Sequence, residues 1–205
     1  AASYLELGNV YLEKKNYDAA IKEFRRAKVV RESFVGQLHA DTALAYNCLG
    51  NALNLRGDHD AALVEHRKAL AIYEQVLGRN HPKTATGYEC IADALLAKGE
   101  RDEALIEHRK ALSVRANVLA KDHPDTAVSC ARIGNLLYQK GDLVGASVAY
   151  RQALAITVGL CGEQHADSAK AHIRVGRVLA AQGDFEEAID EVEQAVNVLG
   201  ASLGK

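Results

Sequence analysis

The 205-residue chain has no tryptophan, no methionine, two prolines and three phenylalanines. Scarcity of large rings excludes a core built on aromatic stacking. The interior must be filled mainly by Leu, Ala, Val and Ile, which suits closely spaced helices. Charge of one sign is missing too: 25 basic and 27 acidic residues are mixed along the chain and leave a net charge of −2. There is thus no broad positive field for DNA or RNA. No uninterrupted apolar stretch reaches about 18 residues and no secretory hydrophobic segment opens the sequence. The expectation is a soluble, cytoplasmic protein with no nucleic-acid and no membrane partner. An initiator methionine is also absent, which points to a processed or excised segment.

Cys48, Cys90, Cys130 and Cys161 lie far apart and include no C-x-x-C pair. Metal ligands must converge, and this spacing does not bring them together, so free reduced thiols are expected. The sequence contains no Gly-rich phosphate loop, no nucleophile elbow and no H-E-x-x-H. Neither an enzyme nor a cofactor or metal site is expected.

What the chain does have is a repeat. His39, His81, His123 and His165 each open a His-x-x-Thr/Ser-Ala motif at intervals of 42 residues. Leu7-Gly8, Leu49-Gly50, Ile91-Ala92, Ile133-Gly134 and Val175-Gly176 keep the same register, dividing the chain into units 1–38, 39–80, 81–122, 123–164 and 165–205. Each unit reads as a helical hairpin. In the second, apolar residues recur at helical spacing from Thr42 to Arg56, Gly57-Asp58 interrupts, and the pattern resumes from Ala61 to Leu77.

The turn recurs as Gly99-Glu100, Gly141-Asp142 and Gly183-Asp184; in the first unit Lys15-Asn16 replaces it, with Asn16 expected to take the left-handed conformation. Pro82 and Pro124 directly follow boundary histidines, where proline suits the first helical position. Two alanine series, Ala20, Ala62, Ala104, Ala146, Ala188 and Ala27, Ala69, Ala111, Ala153, Ala195, mark close helix contacts. Ten helices in a row leave no linker and no internal domain boundary.

In such an array the first helices line the concave side, so their polar positions are the candidate binding surface. One place after Leu7-Gly8 the register gives Asn9, Asn51, Asp93, Asn135 and Arg177; four places earlier it gives Asn47 and Glu89 among apolar residues. Residues four apart share a helical face, so the two series form one stripe. With Glu6, Glu13, Arg132, Gln139 and Arg174 added, the acids Glu6, Glu13, Glu89 and Asp93 dominate its first half and arginines gather at its end. The predicted peptide-binding groove is therefore Asn9, Asn47, Asn51, Glu89, Asp93, Arg132, Asn135, Arg174 and Arg177. Asparagines pair with a peptide backbone through donor and acceptor, and the arginines receive an acidic motif. The boundary histidines are one hairpin apart, too far to share an ion, and are read as caps. His66 and His108 are read as partly buried packing residues, each with one satisfied nitrogen.

Tyr4, Leu7, Gly8, Tyr11, Ala20, Phe24 and Ala27 resemble the tetratricopeptide pattern W-x2-L-G-x2-Y followed by A-x3-F-x2-A, with Tyr4 in place of the Trp. The 42-residue unit, and above all Ala69-Leu70-Ala71-Ile72-Tyr73-Glu74-Gln75-Val76-Leu77-Gly78 before His81-Pro82, is similar to the repeats of kinesin light chains. The resemblance implies an all-α fold, a right-handed superhelix of five tetratricopeptide-like hairpins forming one domain over 1–205. It also implies a protein-interaction scaffold that holds a peptide in its concave groove. A cargo adaptor for a microtubule motor is the further implication, reaching a kinesin heavy chain through regions outside this segment. Kinesin light chains carry an Asn-Asn pair on the first helix; the corresponding positions are Asn47-Cys48, Glu89-Cys90, Ala131-Arg132 and Ile173-Arg174, and only Asn47 matches. Two other roles remain open at this point: a regulatory or sensor repeat domain controlling an attached effector, and a structural module that self-associates through its terminal helices.

Overall fold

The computed structural model describes residues 1–119 and 122–203, with side chains to residue 200. Among the described residues there are ten helices: α1 Ala2–Glu13, α2 Tyr17–Val35, α3 Ala40–Arg56, α4 His59–Val76, α5 Pro82–Lys98, α6 Arg101–Val118, α7 Pro124–Gln139, α8 Leu143–Cys161, α9 Ala166–Gln182 and α10 Phe185–Leu203. Consecutive helices pair into five hairpins, an all-α solenoid. The chain forms two compact units, one spanning Ala1–Val118 with α1–α6 and one beginning at Leu119 with α7–α10.

Helix starts follow from the boundary histidines. His39, His81, His123 and His165 sit in extended backbone, and the Nδ1 of each accepts the backbone N–H two residues on, at 3.1–3.2 Å. One orphan donor at each helix start is thereby satisfied. Three residues after the histidine, a hydroxyl reaches back across the joint: Thr42 to the carbonyl of Gly36 (2.8 Å), Thr84 to Gly78 (2.8 Å) and Ser168 to Gly162 (2.7 Å). Helix ends use the left-handed conformation at Gly57, Gly99 and Gly183. In the first turn that conformation falls on Lys15 (φ 55°), whereas Asn16 caps α2 by accepting the N–H of Ala19 at 3.2 Å. The expectation for Asn16 is therefore corrected. An amide oxygen that can cap the following helix is best placed one residue beyond the turn.

The two alanine series are buried throughout and set the distance between helices. A second device works inside four of the hairpins. A Cβ placed on Gly8, Gly50, Gly134 or Gly176 would stand 2.4–2.8 Å from Phe24, His66, Tyr150 or Val192 respectively. Each of these four first helices thus offers a notch, which the second helix fills with one side chain; α5 has Ala92 at the same register position.

In the first unit α3 packs against α1 and α5 as well as against α2 and α4, so the first helices lie side by side. One cluster runs through them, including Ile21 and Phe24 of α2, Leu49 and Leu53 of α3, and Leu63 of α4 beneath Ile91 and Leu95 of α5. Tyr46 and Tyr88 add polar ties, donating at 2.5 Å to Glu32 and Glu74 on the preceding second helix. Burial and the Glu74 carboxylate push the Tyr88 phenol up to about 12. Within the second unit, Leu143–Cys161 is the one described helix long and apolar enough to cross a membrane by length and composition. It carries Arg151 at its middle, and its Ala146, Tyr150, Ala153 and Ile156 stripe is buried. Its packing partners are α7 and α9. That is the pattern of a helix packed on its neighbours by one face.

Candidate functional site

The second unit brings Arg132, Asn135 and Arg174 to one place. On α7, Val128, Ala131, Arg132 and Asn135 are spaced three to four residues apart and share a face. Lys170, Ala171 and Arg174 do the same on α9, and Thr157 and Leu160 of α8 close the floor. Together they bound a cleft of about 610 Å³. Val128 and Leu160 are exposed within it and offer aliphatic contact.

Arg177, one turn beyond Arg174, stacks over the Tyr138 ring at 4.7 Å and donates to the Tyr150 hydroxyl at 3.2 Å. The Tyr150 hydroxyl in turn donates to Oδ1 of Asn135 at 2.7 Å. The Asn135 carbonyl is thus engaged, and its N–H2 group is the remaining donor of that amide. Lys170 pairs with Asp167 at 2.8 Å and holds that carboxyl below the usual carboxylate range. Arg174 acts on Asp167 in the same sense, and Arg132 lines the same cleft.

The stripe predicted on the first unit is differently built. Asn9 and Asn51 are exposed on α1 and α3. Asn47 lies in the interior instead, its Oδ1 3.0 Å from Nδ1 of His66. Its helix turn faces the second helix of its own hairpin, so the amide serves a buried imidazole. Glu89 is clamped by two bonds from Arg115 of α6, which is itself buried. Nothing in the spacing of Glu89 singled out Arg115, because the partner lies 26 residues away on a helix read only as packing. Asp93 is 3.9 Å from Nε2 of His108. His66 and His108 are fully buried, deeper than expected, and burial pulls His66 down to about 4. The acidic excess in this half of the stripe is therefore partly matched within the fold.

A larger cleft, about 790 Å³, lies between α2, the end of α3 and the start of α4. Most of its charges answer one another: Lys28 with Glu65 at 3.5 Å, Lys98 with Asp60 at 2.8 Å, and Arg56 with Asp58. Burial pushes the Cys48 and Cys130 thiols up to about 11, leaving them poor nucleophiles. Among the described residues no group of His, Cys, Asp or Glu is arranged to hold a metal ion.

The family model for the tetratricopeptide repeat matches residues 1–63, 41–105, 84–158 and 130–200. The chain belongs to the tetratricopeptide repeat family. Such repeat arrays act as non-enzymatic protein–protein interaction scaffolds. Among curated proteins none is significantly similar to this sequence. Solved structures do share the fold. BtubC (BKLC) from P. vanneervenii has a TM-score of 0.86 at 24% identity, over 97% of this chain and 79% of that one. A Podosopora anserina protein assigned as a kinesin light chain, with nearly identical TPR-like repeats, has a TM-score of 0.85 at 19% identity, over 98% of this chain and 95% of that one. The apo form of RapI has a TM-score of 0.79 at 17% identity, over 95% of this chain and 52% of that one. At these identities the likeness is one of fold. In tetratricopeptide terms, the cleft of the second unit lies between two first helices, α7 and α9, with the second helix α8 behind them.

Proposed function

We propose that this tetratricopeptide array is a cytoplasmic scaffold that binds a peptide segment bearing an acidic motif along its first helices. The observation that carries the reading is the cleft between α7 and α9, where Arg132 and Arg174 stand beside the Asn135 amide and the exposed Val128 and Leu160. A carboxylate would meet the guanidinium groups, and an adjacent aliphatic side chain would cover the valine and leucine. Asn9, Asn51, Asp93 and Arg177 are the further contacts of this reading, with Asn47 and Glu89 acting behind them through His66 and Arg115. The unbroken 42-residue register supports treating 1–205 as a single tetratricopeptide domain. The resemblance to kinesin light chains supports a cargo-adaptor role, with a kinesin heavy chain reached through regions outside this segment.

A proteome-derived peptide array probed with residues 1–205, beside an Arg132→Glu/Arg174→Glu variant, tests the reading. A shared acidic motif should be selected, and the variant should lose it by tenfold or more, as truncation of desolvated charge partners does. Selection that is unchanged in the variant would show that the cleft is not the reader.

A further inference from the structure

Arg31, Tyr73, Arg115 and Thr157 share one register position on the second helices α2, α4, α6 and α8. Three of them are long side chains that reach a first helix of their own unit. Arg31 bonds Asp41 of α3 at 2.6 Å. Arg115, 6% exposed, makes two bonds to Glu89 of α5. Tyr73, 2% exposed, packs with Ala43 of α3 and Ala69 of α4, and its phenol takes a hydrogen bond from the Asn47 amide. Thr157 turns back instead, its hydroxyl donating to the Ala153 carbonyl of its own helix at 2.8 Å.

The partners of these side chains change with them. Asn47, Glu89 and Ala131 are register mates on α3, α5 and α7. Tyr73 meets Asn47 and Arg115 meets Glu89, whereas the hairpin of Thr157 offers Ala131. Both halves of the contact are therefore cut short in the second unit. Ala127 and Ala153, the counterparts of Ala43 and Ala69, line the cleft of about 610 Å³ together with Ala131 and Thr157. The place that Tyr73 closes in the first unit is thus open here. Arg132 and Arg174 of the same cleft are the counterparts of Cys48 and Cys90, which lie near enough to Tyr73 to act on its phenol.

We infer that Ala131 and Thr157 are the specificity-determining residues of this scaffold: they leave open the place that Tyr73 fills, and one large side chain of the bound peptide takes it. The inference rests on the peptide-binding reading of this cleft and adds that space, not charge alone, selects the joint. A peptide lying across α3 and α5 meets the corresponding place already occupied by Tyr73.

A peptide array probed with residues 1–205 and with two filled variants tests it. Ala131→Asn/Thr157→Tyr installs the uncharged pair found at Asn47 and Tyr73 and leaves both arginines in place. It should bind the selected peptides tenfold or more weakly, as loss of a buried anchor does, with circular dichroism and melting curve intact. Ala131→Leu fills the same space from α7 and should weaken the same peptides, so the outcome does not hang on one variant folding. An alanine scan of a selected peptide should find one large residue whose loss costs tenfold or more against the parent chain and little against the filled variants, the signature of a direct coupling. Undiminished binding by the filled variants would overturn the inference; if Arg132→Glu/Arg174→Glu still loses the motif, the peptide-binding reading survives without it. A parent chain that selects no peptide would overturn both.

Discussion

His66 is a built-in acid liability whose size can be worked out. It fills the notch over Gly50, is 1% exposed, and has Nδ1 3.0 Å from the Asn47 amide oxygen, while its buried Nε2 finds no hydrogen-bond partner among the described residues. Burial therefore moves it from 6.5 to about 4. The unfolded chain binds a proton on this ring near its ordinary value and the folded chain does not. Stability is thus full above that value, falls as the pH drops through it, and stops falling near 4. At about 1.4 kcal/mol per unit of pKa, the whole effect is about 3 kcal/mol, of which about 2 is already lost near pH 5.

The first hairpin shows the remedy: its register mates of Asn47 and His66 are Leu5 and Phe24, both buried. The double change Asn47→Leu/His66→Phe should remove that acid limb while refilling the same space. His66→Phe alone should remove the limb too, yet lower stability at neutral pH by about 1–3 kcal/mol, because it strands the Asn47 amide. Urea unfolding of the three proteins near pH 7 and pH 5, followed by helical signal, checks this. Equal pH dependence with and without the imidazole would refute the reasoning.

His172 should behave in the opposite sense. Burial opposes its charge, but Glu191 at 2.6 Å from Nδ1 and Glu163 at 3.0 Å from Nε2 outweigh that and raise it above 6.5. Only the imidazolium can donate to both carboxylates, so its contribution is full below 6.5 and disappears as the pH rises through the raised value. The gap in urea midpoint between this chain and His172→Gln should be wider at pH 6 than at pH 8, and a constant gap would count against the clamp. Ala104→Leu should destabilise the first unit by about 1–3 kcal/mol, since Ala104 is fully buried where α6 meets the core and has no room to grow. An unchanged melting curve would contradict that close contact.

The hairpins were legible because their signals are local. Histidine caps, glycine turns and paired alanines act within a few residues, so position in the chain almost determines the environment. The alanine series and the four histidine caps lie where the periodicity places them. The stripe was harder, because its side chains answer to partners on other helices. Asn47 turned inward because the notch partner in its hairpin is an imidazole in need of an acceptor, where the first hairpin has Phe24. Glu89 is held by Arg115, and the register mates of Arg115, Arg31 and Tyr73, give no hint of a clamp. Lys15 took the left-handed turn because Asn16 was worth more as a cap.

The joints between hairpins have a consequence for how such a gene can change. At the joint after α2, the cap nitrogen of His39, the Thr42 hydroxyl and the Gly36 carbonyl it reaches all lie within seven consecutive residues. The joints at Gly78–Thr84 and Gly162–Ser168 are wired alike. An in-frame duplication or excision of 42 residues therefore carries complete splice hardware with it, wherever in the period the break falls. Copy number can drift while junctions of this kind keep their hydrogen bonds, and length becomes a trait that recombination adjusts in whole steps.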